Sequence, residues 1–355
     1  MPGDYVLGVD SGGSGLRVAL GTVDGDGPLA TAACAEPVRT GPSGIDAGHL
    51  LEQLLPTVRQ LLARHGGGDR IAAAAIGAAG MATLGDRLRA ELPTALADAF
   101  GLSHLALAAD AVTAYAGAVG QRPGAVVAAG TGLIALGTDL TRWRRADGWG
   151  HLLGDSGGGA WIGRAGLDAA MRAHDGRRGG SPALLARVEA VFGPAPDLPG
   201  LLYTRTDRPA VLASFAPEVA ACAAHDPVAE TILRDAAGHI AEAAAAVCPQ
   251  AGADDPECEV ALTGGLFRMG EPLLVPLREE LARQLPQARA VPGPGDPLAG
   301  SLLIAQALAT GGLRLPLHPT LLRVTGPGQG SGAFPGGGGE ALTGATEQGS
   351  RPVSH

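Results

Sequence analysis

An acidic residue at the end of the first apolar segment is the earliest candidate for chemistry. Tyr5–Val9 predicts a buried strand, Asp10 follows it, and a glycine-rich turn leads into a second predicted strand at Leu16–Thr22. Backbone N–H groups of such a turn can converge on phosphate oxygens, and an acid at the strand end can hold Mg²⁺ through water. The candidate phosphate contacts are Ser11, Gly12, Gly13 and Ser14. Taken alone, an ordinary glycine hairpin with a capping aspartate is an equally good interpretation.

A second glycine turn repeats this arrangement in the middle of the chain. The predicted strand Gly124–Ala129 is followed by Gly130, Thr131 and Gly132, and a returning strand is predicted at Leu133–Thr138. We interpret the repeat as an internal duplication that produces two related sheet domains facing each other. Two such hairpins could hold a triphosphate between them, although this turn considered alone is more often a plain connection.

Asp110 is the candidate catalytic base. It follows the short apolar segment Leu105–Ala109 and precedes a predicted helix at Ala111–Val119. A carboxylate at the carboxyl end of a buried strand in an open α/β sheet points into a cleft, where it can accept a proton from a hydroxyl group. Capping of the helix N-terminus is the structural alternative, because aspartate is favoured at that position.

A tryptophan between two glycines marks the most unusual segment of the chain. Gly148 and Gly150 flank Trp149, one of three tryptophans, and would let a ligand approach closely. Asp155 could accept hydrogen bonds from sugar hydroxyls, cap the helix that follows, or do both. His151 is a weaker candidate, because a histidine in such a place more often has a structural role.

Charge and composition exclude several classes of function. The chain has 355 residues, enough for two domains, and 46% of them are hydrophobic. Its net charge of −9 argues against binding to nucleic acid or to an anionic membrane. All 26 basic residues are arginines, which excludes a P-loop lysine and a Schiff-base lysine.

The cysteines and the N-terminus predict a soluble cytoplasmic protein with reduced thiols. The four cysteines lack C-x-x-C spacing and no histidine cluster accompanies them, which argues against a structural zinc site. The first residues contain no basic region followed by a long apolar stretch, so no signal peptide is expected. The alanine-rich runs at 71–80 and 240–247 are too short to span a bilayer.

Alternating strand and helix patterns predict an α/β fold. We expect an N-terminal domain over 1–119, a larger C-terminal domain with a helical insertion over 120–315, and a glycine-rich, disordered tail over 316–355. A late strand at Glu259–Leu262 leads into Thr263, Gly264 and Gly265, where bare backbone leaves room for an adenine or a ribose. Further strands are predicted at Leu29–Ala35 and Ile71–Gly77, and helices at Leu50–Arg64, Arg87–Phe100, Pro297–Ala309 and much of 160–247.

Six motifs in a fixed order resemble those of the N-acetylglucosamine kinase family. That family is grouped with the ATPases that activate 2-hydroxyacyl-CoA dehydratases, within the superfamily of actin, hexokinase and heat-shock chaperone ATPases. The resemblance implies two ribonuclease-H-like domains that close over ATP, Mg²⁺ and a sugar, in a protein that forms homodimers. The motifs are G-V-D-S-G-G-S at 8–14, A-D-A at 109–111, A-G-T-G at 129–132, W-G-H-L-L-G-D at 149–155, T-G-G at 263–265 and D-P-L-A-G-S at 296–301.

The resemblance also implies roles for individual residues. Asp10 matches the metal-associated acid, Ser14 and Thr131 match phosphate contacts, and Asp110 matches the base that acts on the sugar 6-hydroxyl. The sugar contacts are matched by Gly148, Trp149, Gly150 and Asp155, with His151 beside them, and the nucleotide pocket by Ser214, Gly264 and Gly265. Ser214 stands where the family has glycine, which weakens its assignment.

One departure from the family bears on the substrate. The asparagine that binds the acetamide would fall within 40–44, with Gly44 at its expected position, and the chain contains no asparagine. A buried amide needs a hydrogen-bonding partner, so the sequence favours glucosamine, as in the similar glucosamine kinases of actinobacteria. N-acetylglucosamine is the first alternative substrate.

Two further functions stay open at this point. One is an iron–sulfur ATPase that activates a dehydratase, which would need interface cysteines such as Cys222, Cys248 and Cys258. The other is a sugar-sensing module that has lost turnover. The zinc-bearing bacterial sugar kinases are disfavoured, because the chain lacks their cysteine-rich loop.

Overall fold

The computed structural model describes residues 5–12, 15–34, 36–41, 44–65, 70–81, 85–249 and 258–326. Two mixed sheets with helices packed against them form the protein, which confirms the predicted α/β class. The strands are β1 Tyr5–Gly12, β2 Gly15–Thr22, β3 Pro28–Cys34, β4 Thr40–Gly41, β5 Gly44–Ile45, β6 Ile71–Ala78, β7 His104–Ala109, β8 Gly124–Ala129, β9 Leu133–Thr138, β10 Trp143–Asp147, β11 Cys258–Thr263, β12 Ala288–Pro292 and β13 Leu322–Thr325.

The helices of the second half are more numerous than those of the first. Two short 3₁₀ turns, Ala195–Asp197 and Gly265–Met269, accompany them. The α-helices are α1 Ala47–Arg64, α2 Asp86–Phe100, α3 Asp110–Ala118, α4 Gly159–His174, α5 Pro182–Phe192, α6 Leu198–Tyr203, α7 Arg208–Ser214, α8 Ala216–Cys222, α9 Pro227–Val247, α10 Glu271–Gln284 and α11 Pro297–Ala309.

The two sheets repeat one topology. In the first, the order is β13-β7-β6-β1-β2-β3, and in the second it is β10-β9-β8-β11-β12. Each contains an antiparallel meander (β1-β2-β3 or β8-β9-β10) whose first strand is also paired in parallel with a later strand. The second parallel neighbour follows on the same side in both, as β7 and β12. The predicted duplication therefore corresponds to a repeated strand order.

Helix α11 crosses back to the first sheet. Its residues Leu302, Ile304 and Ala305 are buried in the same hydrophobic core as β1, β6 and α3. Leu322, on β13, belongs to that core too, and β13 pairs with β7 at the edge of the first sheet. The expected C-terminal domain of 120–315 thus contains a helix whose core contacts lie with the N-terminal sheet. A second core, with residues of β8, α4 and α9, holds most of the second half, while Val126, Leu136 and Ala261 belong to the first core.

Small residues allow α3 and α11 to touch backbone to backbone. A side chain on Gly300 would overlap the carbonyl oxygen of Thr113, and one on Gly117 would overlap that of Asp296. The hydroxyl of Ser301 donates to the carbonyl of Val9 on β1 at 2.9 Å. These contacts fix the start of α3, which carries Asp110, against the end of β1.

The cysteines differ in part from the prediction. Cys248, just after α9, and Cys258, at the start of β11, form a disulfide with their Cα atoms 6.7 Å apart. The expectation of reduced thiols is wrong for this pair, because the fold brings the end of α9 and the start of β11 within the distance that a disulfide spans. Cys34 and Cys222 are free. Within the described ranges, no helix is both long enough and apolar enough to cross a membrane.

Candidate active site in the cleft between the sheets

A cavity of about 390 Å³ lies where the carboxyl ends of the central strands of both sheets meet. Its volume is within the range of roughly 300–1,000 Å³ that is usual for small-molecule sites. The first sheet and its helices contribute Gly80, Ala109, Asp110, Ala111, Ala114, Pro297 and Leu321, and the second half contributes Ala128, Ala129, Gly130, Gly132, Leu133, Ile134, Arg145, Gly148, Asp155 and Gly264.

Asp110 is the first residue of α3 and faces this cavity. Its Oδ1 accepts a hydrogen bond from the adjacent N–H of Ala111 at 2.9 Å, and the helix has no side-chain cap. The capping alternative therefore does not describe this carboxylate. Burial raises the pKa of Asp110 to about 6, the nearby Asp10 raises it as well, and the Ala111 N–H and Arg145 act in the opposite direction. A carboxylate with this pKa is a competent base near neutral pH.

Asp10 and Asp296 share one arginine. Arg17, on β2 opposite Asp10, donates from Nε at 3.0 Å and from Nη2 at 2.6 Å to Oδ2 of Asp10. Its Nη1 reaches Oδ2 of Asp296, whose Oδ1 caps α11 by accepting the N–H of Ala299 at 3.0 Å. This network ties the end of β1 to the start of α11 beside the cavity.

The carboxylates of Asp10 and Asp110 are compatible with a Mg²⁺ ion that is held in part by the nucleotide. Among the described residues, no group of three or more His, Cys, Asp or Glu side chains could enclose a metal ion. Mg²⁺ in kinases is usually held by one or two carboxylates together with waters and substrate phosphates. Asp10 is close enough to Asp110 for its charge to raise the pKa of Asp110, and such a pair of carboxylates suits that mode of binding.

The second glycine turn, residues 130–132, is hydrogen-bonded to the start of α4. The carbonyl of Gly130 accepts the N–H of Gly159 at 2.9 Å, and that of Thr131 accepts the N–H of Ala160 at 2.8 Å. Gly264, with φ of +106°, passes so close to Ala129 that any side chain would overlap its carbonyl oxygen. Bare backbone thus forms this wall of the cavity, as the sequence predicted for a nucleotide contact.

Asp155 is held in the loop after β10 by an unusual backbone conformation. Its φ is +56°, and its Oδ1 accepts the N–H of Gly150 at 3.1 Å. Burial raises the pKa of Asp155, the Gly150 N–H lowers it, and the neighbouring carboxylate of Asp147 raises it. The N-cap of α4 is Gly158, so Asp155 does not cap that helix and its carboxylate lines the cavity instead.

Arg145 is the charged residue of the cavity wall that the sequence did not indicate. It lies on β10, and its guanidinium carbon is 4.3 Å from the centre of the Trp149 ring. Its Nε donates to the carbonyl of Asp147 at 2.9 Å and its Nη2 to that of Gly148 at 2.5 Å. Its proximity to Trp149 in the sequence was the one available signal, since arginine is the cation most often found over a tryptophan ring.

Some of the predicted site residues line the cavity and others do not. Six of them line it: Asp110, Gly130, Gly132, Gly148, Asp155 and Gly264. Ser214 does not, since it is exposed at the end of α7 and its hydroxyl donates to the carbonyl of Val211. Asp10, Ser11, Gly12, Thr131, Trp149, Gly150, His151 and Gly265 are described but are not part of the wall, while Gly13 and Ser14 lie outside the described residues. Of the expected disordered tail over 316–355, residues 316–326 are described and include strand β13, which pairs with β7, while 327–355 lie outside the described residues.

A family model matches residues 7–305, which include both sheets and the cavity between them. The chain belongs to the BadF/BadG/BcrA/BcrD ATPase family. This family membership confirms the resemblance that the six motifs predicted, and it agrees with the two facing sheets.

Individual members and neighbours agree with this placement. The N-acetylmuramic acid/N-acetylglucosamine kinase of Clostridium acetobutylicum is 26% identical over 313 residues, which cover 85% of this chain and 98% of that protein. A solved structure of a candidate N-acetylglucosamine kinase from Chromobacterium violaceum is 30% identical, covers 85% of this chain and 99% of its own, and has a TM-score of 0.66. A ROK family glucokinase from Streptomyces griseus, solved with glucose and AMPPNP, shares the fold at 23% identity, with a TM-score of 0.50 over 87% of this chain and 100% of its own.

Proposed function

We propose that this family member is an ATP-dependent kinase that phosphorylates the 6-hydroxyl of an N-acetylated amino sugar. The observation that carries the proposal is the position of Asp110, a cavity-facing carboxylate whose pKa is raised to about 6, opposite the glycine turn at Gly130–Gly132. Two relatives that match 85% of this chain support the reaction class, because their names describe sugar kinases.

In this mechanism Asp110 accepts a hydrogen bond from the sugar hydroxyl, aligns it and takes its proton. Negative charge develops on the transferred phosphoryl oxygens, so positioning and electrostatics dominate catalysis. Backbone N–H groups of the two glycine hairpins contact the phosphates, and Asp155 accepts hydrogen bonds from other sugar hydroxyls. Mg²⁺, held through Asp10, supplies further neutralising charge when it is bound. Closure of the two sheets over the cleft excludes water.

N-acetylglucosamine replaces glucosamine as the favoured substrate. Both relatives with sugar-kinase names above 25% identity are described as acting on N-acetylglucosamine. Arg145 also places a positive charge in the cleft, which disfavours the ammonium group of glucosamine. The absent asparagine still favours glucosamine, so the acetamide must be recognised by another group, and the comparison of the two sugars is the direct test.

The iron–sulfur alternative receives no support from the cysteines. Cys248 and Cys258 are bonded to each other, so only Cys222 of the three suggested ligands is a free thiol. A cytoplasmic homodimer that takes ATP and an amino sugar as its partners remains part of the proposal, with no role for nucleic acid or membrane.

The deciding experiment is an ADP-release assay with N-acetylglucosamine, glucosamine, N-acetylmuramic acid and glucose. We expect N-acetylglucosamine to give the highest kcat/KM of the neutral or cationic sugars and to yield its 6-phosphate. A preference for glucosamine would restore the earlier prediction and reject the acetylated substrate. Release of ADP without any sugar dependence would reject the kinase assignment.

A further inference from the structure

The cleft contains one cationic side chain among the described residues that line it, Arg145. Two of its three guanidinium nitrogens are committed to the loop, because Nε and Nη2 donate to the carbonyls of Asp147 and Gly148. The guanidinium carbon lies over the Trp149 ring, 4.3 Å from its centre. Nη1 has no hydrogen-bond partner within the described part of the chain. An arginine that is held by two hydrogen bonds and has one guanidinium nitrogen without a partner can donate to an additional acceptor.

The acids around Arg145 do not neutralise it by direct pairing. It makes no ion pair of its own among the described residues, whereas Arg17 pairs with both Asp10 and Asp296. Asp110 is influenced by the charge of Arg145, yet its hydrogen bond goes to Ala111. A cation in a cleft that is partly shielded from water attracts an anionic ligand group more strongly than an exposed one does.

We propose that Arg145 is a specificity-determining residue that binds a carboxylate carried by the sugar substrate. The inference rests on the proposed function, and it assigns the substrate class as acidic N-acetylated amino sugars, with neutral ones as weaker substrates. The arginine would donate from Nη1 to the carboxylate while its other nitrogens keep the loop in place.

The surroundings of Arg145 favour a sugar substituent over the transferred phosphoryl group as its ligand. Arg145 is anchored to Asp147, Gly148 and Trp149, which form the loop that also carries Asp155. The candidate phosphate contacts lie on other elements, namely the β1–β2 turn and the turn that is fastened to α4. The arginine therefore belongs structurally to the sugar-binding side of the proposed site.

Nucleotide-free binding to three matched sugars tests the proposal. N-acetylmuramic acid carries a carboxylate, its methyl ester has nearly the same bulk without the charge, and N-acetylglucosamine lacks the substituent. Calorimetric titration of the wild-type protein should give at least about tenfold tighter binding of the acid than of the ester, the usual scale of a charge-assisted hydrogen bond. Arg145→Gln should remove that ratio, and Arg144→Gln should leave it intact. Arg144 is a matched control because it is the adjacent arginine on β10 and lines a separate pocket with Thr138 and Asp139.

The ratio separates recognition from general damage to the loop. If Arg145 only supports Trp149, Arg145→Gln will weaken all three sugars equally and preserve the wild-type ratio, which overturns the proposal. Equal binding of acid and ester by the wild type overturns it too. Because no phosphoryl transfer is measured, a protein that discriminates acid from ester but releases no ADP would reject the proposed function alone. Turnover of N-acetylglucosamine without such discrimination would reject the role of Arg145 alone.

Discussion

The carboxylate of Asp147 accepts the backbone N–H of Asp155 at 2.6 Å, and its second oxygen accepts that of Ser156 at 2.9 Å. Both aspartates have positive φ angles, +60° and +56°, a conformation that costs free energy for residues other than glycine. The two hydrogen bonds offset that cost and direct the side chain of Asp155 toward the cavity. Asp147 is therefore a positioning residue for Asp155.

Asp147→Asn should weaken sugar binding more than it slows chemistry. The amide can still accept one N–H, but its NH₂ group would face the second N–H, so one hydrogen bond is lost and a donor is left opposed. We expect KM for the sugar to rise about tenfold, with a smaller change in kcat. Steady-state kinetics at saturating ATP provide the measurement.

Asp139→Asn is the matched control for that variant. Asp139 also accepts two backbone N–H groups, those of Thr141 at 2.8 Å and Arg142 at 3.0 Å, at the opposite end of β10. Both bond the same oxygen, Oδ1, which asparagine retains, so this variant removes the charge of a loop aspartate without removing a backbone hydrogen bond. Its KM for sugar should equal that of the wild type. An equal rise in both variants would show that loop stability, and not the orientation of Asp155, sets the affinity.

Asp110→Asn should fold normally and lose turnover. The amide retains the acceptor for the Ala111 N–H but cannot take a proton, so kcat should fall by about 10² or more. Circular dichroism and nucleotide binding should match the wild type. A turnover within threefold of wild type would remove Asp110 from the role of base.

The pH dependence of kcat/KM should report the same group. With a pKa of about 6, Asp110 is protonated and inactive below that pH, so kcat/KM should rise from pH 5 to pH 7 with a midpoint near 6. Since Arg145 lowers this pKa, the midpoint should move upward in Arg145→Gln. A profile that is flat across this range in the wild type would contradict the assignment.

The same pKa predicts that the active-site acid lowers stability at neutral pH. Folding raises the pKa of Asp110 from 3.8 to about 6, so the folded state binds this proton more tightly than the unfolded state does. The contribution of the bound proton to the free energy of unfolding is therefore lost as the pH rises through that interval. Asp110→Asn should therefore exceed the wild type in unfolding free energy at pH 7.5, by up to about 3 kcal/mol. At pH 4.5 the difference should be smaller. Urea unfolding at the two pH values measures both, and a variant that is less stable at pH 7.5 would contradict the argument.

The sequence alone located the strand-end acid, the glycine turns and the tryptophan loop, but not strand β10, which leads into that loop. Buried strands such as Ile71–Ala78 are continuous apolar runs and are recognisable without a structure. Strand β10, Trp143–Asp147, is a half-buried edge strand with the sequence WRRAD, and neither alternation nor an apolar run marks it. Arg145 and Asp147 both lie on this strand, which explains why both were missed.

The contact between the first sheet and α11 was also beyond local patterns. The sequence predicted the helix from its small and apolar residues, but its placement depends on Gly300 meeting Thr113 about 190 residues earlier in the chain. Ser214 is a candidate whose nucleotide contact stays a prediction. A motif position suggested the nucleotide pocket, whereas the exposed end of α7 bonds that hydroxyl to Val211.

Gly300→Ala should destabilise the protein far more than an ordinary glycine substitution in a helix. Its Cβ would overlap the carbonyl of Thr113 and lie 2.5 Å from the N–H nitrogen of Gly117, so α3 and α11 would have to separate. The cost should be about 2–3 kcal/mol or more, as expected for overpacking. Gly238→Ala in α9 is the control, because a Cβ there meets nothing within 4 Å and alanine is the better helix former, by up to about 1 kcal/mol. Thermal unfolding should give a lower melting temperature than that of the wild type for Gly300→Ala and a higher one for Gly238→Ala.

The same substitution should also affect activity. Because separation of α3 and α11 would move Asp110 away from the end of β1, Gly300→Ala should lose turnover even at temperatures where it remains folded. Retention of full activity would show that this helix contact does not position the base.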